Sequence, residues 1–142
     1  MANYNSNELT AMGTGTPLNL DSANCYDARV KRFRASFDLA SQASGSTLTL
    51  CTLPKDCVPL AILVTPSTSL STATIKIGTA DDDDKYCGAK TFTSADTPTV
   101  VGATGATKEA LTAEETLIAT TGTAALPASG TLVFDVLVSS IA

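Results

Sequence analysis

One stretch limits the fold of this chain more than any other: Val58 to Gly78, VPLAILVTPSTSLSTATIKIG. An apolar run from Val58 to Thr65 meets a Pro-Ser-Thr-Ser turn, and an alternating run from Leu70 to Gly78 follows. In the second run Ala73, Ile75 and Ile77 share one side and Thr72, Thr74 and Lys76 the other, which is the two-residue period of a half-buried strand. The two runs are expected to pair as a hairpin, and the fold class is all-β.

The same period recurs along the chain. From Val30 to Leu39, Phe33, Ala35, Phe37 and Leu39 alternate with Arg32, Arg34, Ser36 and Asp38. Ser41 to Ser46 is turn chemistry, and Thr47 to Leu53 is a strand with Leu48 and Leu50 set against threonines. Pro59 has no amide to give to a ladder, so it requires an edge, a bulge or the start of a strand. Tyr86 to Thr93 reads equally as a short helix or a strand, Thr97 to Val101 and Glu114 to Thr121 as strands, and Gly102 to Thr107 as a loop. Thr131 to Ser139 carries Leu132, Phe134, Val136 and Val138 on one face and Val133 and Leu137 on the other, so it belongs mid-sheet or at a subunit interface.

Seven or eight such strands bury one face each most economically as two packed layers. The expectation is an antiparallel β-sandwich, with jelly-roll topology one option. Only 5% of residues are aromatic and 16% charged, while Thr, Ala, Ser and Gly abound, which suits short strands and not a helix bundle. There is no short-period repeat of the kind that builds a β-helix or propeller. The chain's 142 residues suffice for one domain, read as residues 29–142. Residues 1–28 are polar and rich in Asn and Gly, too poor in apolar surface to order alone, and are read as an extended N-terminal arm with a weak helical turn at Asn5 to Thr10.

A net charge of −5 argues against nucleic-acid and anionic-membrane partners, and no apolar run approaches the ~20 residues of a spanning helix. The start, MANYNSNELTAMG, lacks the blocks of a signal peptide. Folding in a reducing cytoplasm is expected, with Cys25, Cys51, Cys57 and Cys87 as free thiols by default, although Cys51 and Cys57 flank a turn across which a disulfide is open.

Two charge clusters stand out. Arg29, Lys31, Arg32 and Arg34 put four of the nine cations into six residues and are the candidate partner contact. Asp81, Asp82, Asp83 and Asp84 form an acidic run expected in an exposed loop or the first turn of a short helix. Consecutive carboxylates on an extended segment diverge, and the spacing of a calcium loop is absent, so the run is only a candidate cation site and no metal is assigned. With no histidine, no Ser-x-x-Lys and no phosphate-cradling glycine motif, neither an enzyme nor a cofactor is expected.

The opening MANYNSNEL, the basic strand RVKRFRASFDLA, the run ATIKIGTADDDDKY and the closing ALPASGTLVFDVLVSS together resemble small structural proteins of tailed bacteriophages, some of which are head decoration or cement proteins. That resemblance implies a virion protein made in the host cytoplasm that sits on the capsid exterior. Its partner would be the major capsid protein, and it would be a homo-oligomer, with a trimer favoured. A receptor- or glycan-binding head of a phage fibre or spike is the alternative.

Overall fold

In the computed structural model, residues 29–102 and 110–140 are described; the arm expected at residues 1–28, the helical turn expected at Asn5 to Thr10, Cys25, and residues 103–107 of the expected loop lie outside them. Eight strands follow in order: β1 (Arg29–Asp38), β2 (Thr47–Leu53), β3 (Val58–Pro66), β4 (Thr74–Gly78), β5 (Cys87–Thr91), β6 (Thr99–Val101), β7 (Glu115–Gly122) and β8 (Thr131–Ser140). The ambiguous Tyr86–Thr93 segment is thus a strand at its centre.

All pairings are antiparallel and nested: β1 with β8, β2 with β7, β3 with β6 and β4 with β5. Two further ladders, β3 with β8 and β4 with β7, close this long folded ribbon into two sheets. The first sheet runs β1-β8-β3-β6 and the second β2-β7-β4-β5. A ribbon of nested antiparallel pairs rolled into two layers is a jelly roll, so the expected sandwich is present with that topology.

The β3–β4 hairpin expected from the sequence does not form. β3 pairs with β8 and β6, whereas β4 lies in the other sheet between β7 and β5. The connection crosses the end of the sandwich because it has an apolar anchor to bury there. Leu70 is 1% exposed and its amide donates to the Phe92 carbonyl, while the Ser67 amide donates to Thr131. A tight turn would have left Leu70 in water. The inward set of the alternating run is the one its period predicts, since Ala73, Ile75 and Ile77 are all fully buried.

β8 lies between β1 and β3, which explains its two-sided apolar pattern. Leu132, Phe134, Val136 and Val138 fill the core, and the Phe134 ring meets Phe37 edge-on at 6.0 Å. Pro59 sits where the β3–β8 register slips between Pro59 and Ala61, as an imino residue in a ladder requires.

Candidate partner-binding surface

The strand period splits the four β1 cations between two faces. Phe33, Ala35 and Phe37 pack against the core, so Arg32 and Arg34 point out of the sandwich. Arg29 and Lys31 lie on the inward side of the strand, yet they are exposed, because this end of β1 is not covered by packed core. The structure therefore brings only Arg32 and Arg34 together.

Both face Asp135 on β8. Arg34 donates from Nε and Nη2 to the two carboxylate oxygens at 2.8 Å each, and Arg32 Nε stands 3.8 Å from Oδ1. The Arg34 hydrogen bond holds the Asp135 carboxyl below the usual carboxylate range, and the same bond raises Arg34. Register places this pair in a row across the first sheet, from Arg34 to Asp135, Leu63 and Val100. Neighbouring rows add Arg32 beside Leu137 and Ala61, and Ser36 beside Val133 and Thr65.

The outer face of the first sheet is consequently an apolar strip rimmed by arginine. Val30 and Val100, 66% and 65% exposed, lie on this face at its two edges. Arg34, Leu63, Thr65, Pro98, Val133 and Asp135 line a shallow hollow of about 300 Å³ in it. The sequence flagged Val133 and Leu137 as out of phase with the core. Ala61 and Leu63 were hidden, since a continuous apolar run does not say which residues face out.

The acidic run belongs to the other sheet, in the loop between β4 and β5. It is an exposed loop and not a helical turn. Asp83 pairs with Lys76 at 3.2 Å, and the Asp82 carbonyl accepts from the Thr79 and Lys85 amides. Among the described residues, no three acidic or thiol side chains converge to hold a metal ion. The loop folds closely over Gly78, where an added Cβ would collide with the Asp82 carbonyl oxygen. Gly78→Ala should therefore force the loop off β4 and lower stability by about 1–3 kcal/mol. Gly88→Ala, with nothing within 4 Å of its Cβ position, is the matched silent control in thermal melts.

The other polar cluster is internal. Glu115 at the start of β7 accepts from Tyr86 Oη and from Lys85 Nζ, and Tyr86 is 3% exposed. Burial first, then the Glu115 hydrogen bond, raises the Tyr86 pKa strongly, and burial pushes the Cys51 thiol up to about 11. Cys51, Cys57 and Cys87 are free thiols, with no bridge between Cys51 and Cys57.

These groups are neutral in the folded chain and ionise earlier when unfolded, near pH 8.5 for Cys and 10 for Tyr. Their contribution is fully present below about pH 8.5 and is lost as pH rises through the folded values. The melting temperature should fall progressively above that point, and Tyr86→Phe should flatten the fall between pH 10 and 11; an unchanged slope contradicts the assignment.

No protein-family model matches the chain, and no curated protein matches it. Solved structures with the same fold include a chain in the cyanophage Pam1 capsid asymmetric unit, with a TM-score of 0.67 and 18% identity over 82% of this chain and 89% of that one. A chain in the capsid of Ralstonia phage GP4 matches with a TM-score of 0.60 and 15% identity, over 82% and 87%. One in the acid-stable capsid of Helicobacter pylori bacteriophage KHP30 has a TM-score of 0.59 and 13% identity, over 80% and 89%. At these identities the likeness is one of fold.

Proposed function

We propose that this protein is a phage virion component that binds the outside of the capsid and stabilises the head, as a decoration or cement protein. The observation that carries the reading is the fold match, which spans most of both chains in three phage capsid structures. What resembles this protein there is a whole chain of nearly its own size. A chain so small suits an accessory of a shell.

The outer face of the first sheet supplies a means of attachment. Apolar side chains at its centre exclude water, and Arg32 and Arg34 at its rim offer forked donors to carboxylates on the shell. The protein acts by adhesion, as a homo-oligomer with a trimer favoured, and multiple contacts per oligomer multiply a modest affinity. The glycan-binding alternative needs exposed rings for sugar stacking. Of the five aromatic residues described, Tyr86, Phe92 and Phe134 are buried and Phe33 and Phe37 half-buried.

The test is co-sedimentation with undecorated phage heads. Binding is expected, with a copy number in the hundreds per particle; pelleting with host cells or sugars instead would overturn the reading. Arg32→Glu, chosen because Arg34 carries the closer contact with Asp135, should weaken head binding by about tenfold or more without changing the melt. Removal of residues 1–24 should leave the folded domain and abolish head binding.

A further inference from the structure

Asp135 separates the two outward arginines by what each has left to give. Arg34 commits Nε and Nη2 to both oxygens of that carboxylate. Arg32 comes only to 3.8 Å from Oδ1, its guanidinium makes no hydrogen bond among the described residues, and its side chain is 57% exposed. In the outward rows from Arg32 to Ser36, Asp135 is the one acid described, and Arg34 matches its charge. The charge of Arg32 is left uncompensated there, with a fork of donors open to solvent.

Beside it lies the shallow hollow of about 300 Å³. Leu63, Pro98 and Val133 give that hollow an apolar lining, and the Arg34–Asp135 pair forms one wall. Because Asp135 both walls the hollow and is approached by Arg32, the open guanidinium sits at the rim. Arg32 is one outward row from Arg34, a step of about 7 Å along the strand, and side chains on one face of any extended chain repeat at the same step.

We propose that this site binds an extended segment of a shell protein in which a carboxylate and an aliphatic side chain lie two residues apart, the carboxylate on Arg32 and the aliphatic group in the hollow. The inference deepens the capsid-binding reading above and rests on it for the source of the segment. Arg34 is a positioning residue, held by Asp135 as a wall of the hollow, and Arg32 sets the charge preference. Charge argues against a second copy as the occupant. Its own first sheet would set arginine against arginine, and like charges brought together across an interface repel. Its densest acidic run, Asp81 to Asp84, has only Ala80 as an aliphatic neighbour within three positions, so docking that run on Arg32 would leave the hollow empty.

The experiment uses the isolated full-length protein with labelled methyl groups and no heads, so this inference can fail while head binding stands, and the reverse. The capped tripeptide Glu-Thr-Leu should show saturable millimolar binding that shifts the Leu63, Thr65 and Val133 methyl resonances. Gln-Thr-Leu should bind about two- to fivefold more weakly, the share of one partly exposed ion pair, and Glu-Thr-Ser about tenfold more weakly for want of the apolar group. Arg32→Gln should erase the preference for Glu over Gln and keep that for Leu over Ser. No saturable shift, equal binding of the Glu and Gln peptides, or a charge preference that survives Arg32→Gln overturns the proposal. So do contacts from residues 1–28 to these methyls in the peptide-free protein, which would make the occupant the chain's own segment, and shifts that grow with protein concentration, which would make it a second copy.

Discussion

Phe134→Ala is expected to remove about 3–5 kcal/mol of stability, the range for emptying an aromatic site in a packed core. Among the described residues Phe134 is the largest side chain that is fully buried, and it comes from β8, which is hydrogen-bonded on both sides. Nothing nearby can fill the space cheaply. Its neighbours Val64 and Ala35 in the ladders are held in register, and Phe37 would lose its edge-on partner. Since a domain of this size is held by only about 5–15 kcal/mol, the variant should keep its fold at low temperature and lose a large part of its denaturant midpoint. Val133→Ala, one residue earlier and facing outward, is the control and should change the midpoint by well under half as much. Equal losses at Val133 and Phe134 would mean that the inward and outward faces of β8 have been misassigned.

The second large effect is expected at Glu115. Gly78, the last residue of β4, pairs with Ile118, so Glu115 extends beyond the end of β4 and reaches Tyr86 on its far side. Glu115→Ala would leave the buried Tyr86 hydroxyl without an acceptor and Lys85 without its carboxylate. Stranding a buried donor costs about 1–3 kcal/mol, more than the roughly 1 kcal/mol of the bond itself. Tyr86→Phe removes the donor with the bond and should cost less. The double variant should then be destabilised by less than the sum of the two, with a coupling of about 1–2 kcal/mol. Strict additivity in chemical denaturation would mean that the hydroxyl finds another partner and the contact contributes nothing.

The same contrast runs through the rest of the molecule. Most strand cores are visible in the sequence, β5 and the two faces of β3 excepted, because a strand is declared by a local period: Phe33, Ala35 and Phe37 against Arg32, Arg34 and Ser36 need no knowledge of what lies opposite. The exposed acidic loop follows from the repulsion of four adjacent carboxylates, and the bulge at Pro59 from a missing amide. The basic cluster was legible as composition and in part as geometry. Its division, with Arg32 and Arg34 outward and Arg29 and Lys31 on the other side, needed only the two-residue period. The meaning of that division needed Asp135, 101 residues from Arg34.

By itself, then, the sequence determined an all-strand body, the inward residues of most strands and the places where the chain must turn. Each of these is set by side chains a few positions apart. Tertiary structure alone decided that β3 and β4 part into different sheets, that β8 pairs with both β1 and β3, and that Leu63, Val100, Val133 and Leu137 share one outer surface with two arginines. Strand pairing joins residues tens of positions apart through backbone groups that every residue carries alike, so side-chain pattern says which face a residue takes but not which strand it lies beside.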